Sequence, residues 1–133
     1  MARDMKITFP GGKRVDAFYK GFHTETDQPV YLGGEGSVPA PFDLFLVSIG
    51  TCSGIYVLSF CQNRNIPTED LSLTMRSERN PETKRIERIF IDIHLPAEFP
   101  EKYTNAVIKS VNGCAVKIHM QQAPVFEVNA HIP

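Results

Sequence analysis

The side chains of this chain that could do covalent chemistry are its three cysteines, Cys52, Cys61 and Cys114. A deprotonated thiol can attack an electrophilic oxygen or sulfur atom, and two thiols can close a disulfide. Free cysteine is also among the most frequently buried residue types, where it packs as a small hydrophobic side chain. Each cysteine therefore has either a redox role or a packing role, and which of the two it has depends on the residues around it.

Cys52 and Cys61 lie in one uncharged stretch of 20 residues, positions 44–63, which follows Asp43. Its length and composition predict a helix, in which Cys61, nine positions after Cys52, points to the opposite side. A packing role suits Cys61. A thiol in the middle of an apolar helix receives no donor from that helix, so Cys52 would need a positively charged partner from elsewhere in the fold to ionise.

Cys114 has a different local setting, because it follows Asn112 and Gly113 at the start of a short helical segment. The free N–H groups at the N-terminus of a helix stabilise a thiolate. Local sequence alone therefore predicts that Cys114 is the thiol that ionises more readily.

The uncharged stretch is long enough to span a membrane, but its serine, threonine, glutamine and asparagine residues lower its hydropathy. We therefore expect the core helix of a soluble protein. Such a helix is ~30 Å long, whereas a compact chain of this size has a radius of gyration of only ~14 Å. Because one chain would struggle to bury every face of that helix, we expect an obligate homodimer, in which Gly50 and Gly54 allow two helices to approach closely.

The remaining sequence predicts an α+β fold in a single domain, residues 1–133, with the order β-β-β-α-β-β-α-α-β. Alternating polarity predicts the strands, and turn residues such as Pro10-Gly11-Gly12 separate them. The predicted strands are 6–9, 14–20, 22–26, 71–75, 89–95 and 124–131. The predicted helices are 44–63, 100–111 and the segment after Cys114.

The composition argues against several classes of function. With 14 basic and 15 acidic residues, the net charge is -1, so no footprint for nucleic acid or for an anionic membrane is expected. The first residues lack a secretory signal pattern, which predicts a cytoplasmic protein with reduced thiols. No spacing of zinc ligands is present, and the glycines around Glu35 lack the context of a phosphate-binding loop. We expect neither a metal nor a cofactor.

Two segments of the chain, each with a cysteine, resemble those of a known family. PAPFDLFLVSIGTCSGIYVLSFCQNRNIP is similar to the central helix of the OsmC/Ohr family, the osmotically inducible and organic hydroperoxide resistance proteins. NGCAVKIHMQQAPVFEV is similar to the second-cysteine segment of that family. The resemblance extends over most of the chain, and it implies antiparallel sheets packed around a long central helix in an intertwined homodimer.

The same resemblance implies a cysteine-based peroxidase that reduces organic hydroperoxides. By motif, Cys52 matches the cysteine that attacks the peroxide, and Cys114 matches the resolving cysteine. The implied cycle passes through a Cys52 sulfenic acid and a Cys52–Cys114 disulfide. A dithiol reductant of the lipoyl type would then restore both thiols by exchange.

One position departs from the hydroperoxidase pattern. Those members carry a glutamate ten positions before the first cysteine, where it supports an arginine that activates the thiolate; this chain has Phe42 there, followed by Asp43. Arg14, on an early predicted strand, is a candidate for that arginine. The segment around Cys52 is closer to the less characterised OsmC-like branch. Two alternatives therefore stay open: a redox sensor, and a non-catalytic dimer that binds an apolar small molecule near Phe42, Phe45, Tyr56 and Phe60.

Overall fold

A computed structural model describes residues 4–133 and confirms the predicted α+β class with antiparallel sheets. The first three residues of the predicted domain, 1–133, lie outside this range. The chain divides into two compact units, one ending at Val47 and the other running from Ser48 to Pro133. The first unit holds a three-stranded sheet, and the second holds a two-stranded sheet.

The first unit is built on a meander of three antiparallel strands, β1 (Lys6–Gly11), β2 (Arg14–Tyr19) and β3 (Phe22–Thr26). The turns between them use glycines with positive φ, which other residues adopt only with strain. The predicted strands agree with these bounds to within two residues. The register of β2 and β3 places charged side chains opposite each other, which matters for Arg14 below.

The loop after β3 is organised by one buried carboxylate, that of Asp27, which is 1% exposed. It accepts hydrogen bonds from the N–H groups of Gln28, Glu35 and Ser37 and from the Ser37 hydroxyl, at 2.7 to 3.3 Å. These donors, of which the Ser37 hydroxyl has the largest effect, lower the pKa of Asp27 to about 2. The loop is therefore closed by hydrogen bonds to one buried negative charge.

Replacing Asp27 with asparagine should destabilise the protein at neutral pH, because a neutral amide oxygen cannot replace a carboxylate that accepts these hydrogen bonds. The folded-state pKa, about 2, lies below the ordinary 3.8. The stabilisation is therefore complete above pH ~4 and is lost as the pH falls through 2. Denaturant unfolding should show that the gap in unfolding free energy between the two proteins closes over this range. A gap that stays constant from pH 6 to pH ~2 would contradict this assignment.

Position 34, in the same loop, must be glycine because there is no space for a side chain. A Cβ atom at this position would lie 1.9 Å from the Gln28 carbonyl oxygen and 2.8 Å from an Asp27 carboxylate oxygen. We expect Gly34→Ala to force the loop open and to lower the unfolding free energy by more than ~3 kcal/mol. Gly12→Ala is a suitable control, because its Cβ would meet nothing within 4 Å and only its φ of +58° would strain alanine, by about 1 kcal/mol. Equal losses for both variants in urea unfolding would show that crowding at Gly34 has no consequence.

The second unit places helices against one face of a β-hairpin. The strands β4 (Ser72–Arg79) and β5 (Ile86–His94) pair antiparallel. The long helix α1 (Pro41–Gln62) begins in the first unit and continues into the second, where Gly50 approaches the Met75 side chain on β4. The short helices α2 (Thr104–Ser110) and α3 (Ala115–Gln121) follow the hairpin. Single 3-10 turns precede α2 (Glu101–Tyr103) and join it to α3 (Val111–Gly113).

The core of the second unit lies where α1 meets the hairpin and α2. Val57 and Phe60 of α1 pack with Val107 and Val111. Side chains from the hairpin, from the loops at its ends, from the following 3-10 turn and from α2 surround this cluster: Leu71, Leu73, Ile93, Leu95, Phe99, Tyr103 and Ala106. The core therefore fixes the later half of α1, the half that follows Cys52, against the segments that lead to Cys114.

The earlier half of α1 is much less covered. By length and composition the helix could cross a membrane, with a mean hydropathy of 1.9, and only 28% of its most apolar window is buried within the chain. The side chains of Phe42, Phe45, Val47 and Ile55 are exposed. This agrees with the expectation that one chain alone does not bury every face of the helix.

The predicted last strand, 124–131, is wrong for this chain. Residues 123–133 form neither helix nor strand, and four apolar side chains among them are 83% to 93% exposed: Val125, Phe126, Val128 and Ile132. A strand needs a neighbour to satisfy its backbone hydrogen bonds, and among the described residues none pairs with this segment. The composition favoured a strand, but it could not supply the neighbouring strand that pairing requires.

Candidate functional site

Cys52 and Cys114 meet in the second unit as free thiols. Cys52 is half-buried on α1, whereas Cys114 is fully buried directly before α3. The Cys114 thiol lies near enough to act on the Cys52 sulfur, and it lowers the pKa of Cys52. The structure therefore brings together the two cysteines that were predicted as site residues.

The Cys52 sulfur is surrounded by hydrogen-bond donors. The largest effect on it comes from the Cys114 thiol, and the backbone N–H groups of Val116 and Ala115 add to it. Against the opposing effect of burial, these donors lower the pKa of Cys52 below its ordinary value of 9.0. The two amides belong to the first turn of α3, where N–H groups have no partner within the helix. A thiolate at Cys52 is thus stabilised by the start of another helix.

The positively charged partner that was predicted for Cys52 is not among the groups that lower its pKa within the described part of the chain. The groups that lower its pKa are all neutral donors. The helix N-terminus that the local sequence assigned to Cys114 is directed at Cys52 instead. The reason is tertiary, because the segment around Cys114 lies against α1, and neither segment alone reveals this relation.

A contact between Tyr56 and Gly113 joins the two cysteine-bearing segments. Tyr56 lies one helical turn after Cys52, on the same face of α1. Carbon Cε1 of its ring is 3.2 Å from the position that a Cβ of Gly113 would occupy. Sequence reasoning did not predict this contact. The available signal was the spacing of four residues between Cys52 and Tyr56, which puts both on the face that the second segment covers.

Cys61 has the packing role that was predicted for it. It is fully buried, and burial raises the pKa of the Cys61 thiol, an effect that nearby Arg64 opposes only in part. The Arg64 guanidinium lies 3.6 Å from the centre of the Phe60 ring and donates to the Phe60 carbonyl oxygen. This corner of α1 is therefore a well-packed helix end, and its thiol is poorly suited to attack.

Arg14, the predicted candidate for an activating arginine, belongs to an ion network on the sheet of the first unit. Its guanidinium lies 3.1 Å from the Asp16 carboxylate and 3.3 Å from that of Glu25. His23 makes a hydrogen bond of 2.9 Å to Asp16. Ligand atoms of Asp16, His23 and Glu25 lie within 4.8 Å of one another, as a metal site would require. Since Arg14 forms ion pairs with both carboxylates, the cluster is explained as an ion network.

Phe42 lies in the first turn of α1, where hydroperoxidase members of the resembling family carry a glutamate. Its ring centre is 5.5 Å from that of Phe45, and both rings are partly exposed. The acidic residue of this turn is Asp43, at the end of the helix where the dipole favours negative charge. The departure seen in the sequence therefore puts an aromatic pair at the start of the helix.

The second unit thus presents one reachable thiol, assisted by donors, beside one buried thiol. An electrophile can reach the half-buried Cys52, and the neighbouring donors lower the pKa of its thiol. The buried Cys114 thiol is the side chain with the largest effect on the pKa of Cys52. The arrangement suits two-electron oxidation followed by disulfide formation.

Comparison with known proteins agrees with this geometry. The chain matches the family model for OsmC-like protein over residues 34–129, a range that includes both cysteines. A search of curated proteins finds no match.

Several solved structures share the fold. A Psychrobacter arcticus 273-4 protein named for osmotic stress induction and the detoxification response has 20% identity and a TM-score of 0.73, covering 87% of this chain and 86% of that one. An OsmC-like protein of Mycoplasma pneumoniae has 15% identity and a TM-score of 0.70, with coverages of 92% and 89%. An organic hydroperoxide resistance protein OsmC of Legionella pneumophila has 16% identity and a TM-score of 0.60, with coverages of 91% and 90%.

These TM-scores establish a common fold, and the family model adds a match in sequence over most of the chain. The matched range contains the Pro-led helix, the hairpin and the segment around Cys114. The chain therefore belongs to the OsmC-like protein family, whose structural relatives include proteins named for organic hydroperoxide resistance.

Proposed function

We propose that this protein is a cysteine-dependent peroxidase that reduces organic hydroperoxides, with Cys52 as the nucleophile and Cys114 as the resolving thiol. The observation that carries the proposal is that the Cys114 thiol and the first amides of α3 act together on the Cys52 sulfur and lower the pKa of Cys52. The substrate class is supported by the Legionella pneumophila relative, which is named for organic hydroperoxide resistance.

The proposed reaction proceeds in two steps at the thiol pair. The Cys52 thiolate attacks the terminal oxygen of R–O–O–H and breaks the O–O bond, which gives a Cys52 sulfenic acid and, after proton uptake, the alcohol R–OH. The Cys114 thiol then attacks the Cys52 sulfur, forms the disulfide and releases water. Two electrons from two thiols thus reduce one hydroperoxide. A dithiol of the lipoyl type reduces the disulfide by exchange.

The different exposure of the two cysteines supports this division of roles. Cys52 is partly accessible, as the nucleophile must be to reach a substrate. Cys114 is 0% exposed, so a peroxide in solution reaches it less easily than Cys52. Its position beside the Cys52 sulfur suits it to a second attack within the same chain.

The quaternary part of the proposal is a homodimer in the cytoplasm, in which a second copy covers the exposed face of α1. The apolar side chains left exposed on α1 and in residues 123–133 support it. Light scattering coupled to size exclusion, without detergent, should give twice the mass of the chain. A stable monomer at micromolar concentration would contradict the dimer, and a need for detergent would favour a membrane location for α1.

The catalytic proposal is tested by hydroperoxide consumption with a dithiol reductant. The reduced protein should consume tert-butyl and cumene hydroperoxide over many turnovers when dihydrolipoamide is supplied. The rate should rise with pH and level off below the ordinary thiol value of 9.0, because the donors lower the pKa of Cys52. Fully reduced, folded protein that consumes no hydroperoxide with any dithiol would overturn the proposal.

The alternative function is non-catalytic binding of an apolar small molecule, and the exposed Phe42–Phe45 pair favours it. An apolar compound that copurifies with the protein, together with no turnover of either thiol, would support this alternative. The redox-sensor alternative would instead give stoichiometric oxidation of Cys52 and Cys114 with no turnover when dithiol is added.

A further inference from the structure

Gly113 has no backbone reason to be glycine. Its φ lies outside the left-handed region, unlike that of five other glycines: Gly11, Gly12, Gly21, Gly33 and Gly36. An added Cβ would instead meet the ring of Tyr56, at 3.2 Å from Cε1 and at 3.8 Å from Cδ1 and Cζ. A contact of 3.2 Å requires one of the two neighbours to shift by a few tenths of an ångström. The absence of a side chain at Gly113 therefore lets this segment lie directly on the tyrosine ring.

This contact lies close to both thiols. Tyr56 is one turn of α1 after Cys52, and Gly113 is bonded directly to Cys114. The Cys114 N–H donates to the Val111 carbonyl at 3.0 Å, and the Cys114 carbonyl accepts from Ile118 at 3.0 Å. The 3-10 turn and α3 thus form one hydrogen-bonded piece. A displacement at Gly113 would move Cys114 together with the amides that reach Cys52.

We propose that Tyr56 is a positioning residue, whose ring, seated against Gly113, sets how closely Cys114 and the first turn of α3 approach Cys52. The inference rests on the proposed two-cysteine function and adds a part to it. Closing a disulfide requires the two sulfurs to approach to ~2.05 Å with a defined dihedral angle. Displacements well below 1 Å therefore change how often the pair is aligned for reaction.

The test compares the rate of disulfide closure in Gly113→Ala, Tyr56→Ala, the double variant and Tyr56→Phe. Diamide, which oxidises thiols directly, replaces hydroperoxide, so closure is measured independently of peroxidase activity. We expect Gly113→Ala to close the Cys52–Cys114 disulfide about tenfold more slowly. The thiolate absorbance of Cys52 should also titrate at higher pH in this variant, because the donors move away. Tyr56→Phe, which keeps the ring, should match the wild type in both measurements.

The double variant separates a specific contact from general damage. Removing the ring makes room for the new methyl group, so Tyr56→Ala should partly restore the closure rate of Gly113→Ala, a coupling that independent sites do not show. If Gly113→Ala does not fold, Tyr56→Leu tests the same point, and we expect slower closure from it. Closure and titration unchanged in folded Gly113→Ala or Tyr56→Leu would overturn the inference. A lack of rescue in the double variant would overturn it equally.

Failure of this inference can be distinguished from failure of the proposed function. If the wild type turns over hydroperoxide and Gly113→Ala closes its disulfide at the same rate, the positioning role is wrong while the peroxidase proposal stands. If the diamide results are as expected but the wild type consumes no hydroperoxide, the peroxidase proposal is wrong. Tyr56 would then position the two cysteines of a redox switch that has no peroxidase activity.

Discussion

Replacing Cys52 with serine should lower hydroperoxide consumption at least about a thousandfold, to the level of buffer and reductant alone. Serine has nearly the same shape, but its hydroxyl stays protonated at neutral pH and is a poor nucleophile toward peroxide oxygen. The donors from Cys114, Ala115 and Val116 would remain in place around it. The loss should therefore be chemical, with the circular dichroism spectrum and the midpoint of thermal unfolding little changed.

Cys61 provides the matched control for this experiment. Cys61→Ala also removes one thiol from α1, but it removes one that is fully buried and whose pKa is raised by burial. We expect some loss of stability, about 1 kcal/mol for the smaller side chain, and full activity per folded molecule. Activity that survives Cys52→Ser but disappears in Cys61→Ala would show that Cys61, and not Cys52, is the nucleophile.

Replacing Cys114 should separate the first oxidation from turnover. Cys114→Ser keeps a hydroxyl donor near Cys52, so one equivalent of hydroperoxide should still be reduced at a comparable rate. Without an intramolecular thiol the sulfenic acid persists, and steady-state turnover should fall about a hundredfold, because an external reductant must replace a neighbouring group of high effective concentration. Stopped-flow consumption and trapping of the sulfenic acid with dimedone give the two rates separately.

The same position also tests how Cys52 is activated. Cys114→Ala removes the donor with the largest effect on Cys52, so the pKa of Cys52 should rise toward 9.0. The pH at which the first oxidation reaches half its maximal rate should rise with it, while Cys114→Ser shows a smaller change. An unchanged pH profile in Cys114→Ala would mean that the thiol pair does not control ionisation. Unimpaired steady-state turnover in Cys114→Ser would remove its resolving role.

Much of the fold could be predicted from the sequence, because the features that specify its strands and its long helix lie within short segments of the chain. Alternating polarity gave the three strands of the first unit to within two residues, and the Pro-led apolar run gave α1. The segment 100–111 was predicted as one helix but forms α2 with a 3-10 turn on either side. The prediction of a final strand was wrong, because a strand needs a neighbouring strand and sequence periodicity does not identify that neighbour.

The site was predictable in its residues but not in its electrostatics. Family resemblance selected Cys52 and Cys114, and the structure places them together. The donors that act on Cys52 come from 62 to 64 positions later in the chain, at Cys114, Ala115 and Val116. The local sequence assigned the N-terminus of α3 to Cys114, because it does not reveal which side chain that N-terminus faces in the fold. The Tyr56–Gly113 contact, which brings the two segments together, has no local signature beyond the spacing to Cys52.

If a hydroperoxide oxidises Cys52 and Cys114 captures the product, peptide mapping will show the bond that forms. One equivalent of cumene hydroperoxide is added to the fully reduced protein, and the non-reduced digest is examined by mass spectrometry. We expect a Cys52–Cys114 disulfide in nearly every chain, a reduced Cys61, and one molecule of alcohol for each disulfide. Cysteines that stay reduced, or a Cys52 oxidised to sulfinic acid beside a free Cys114 thiol, would contradict it.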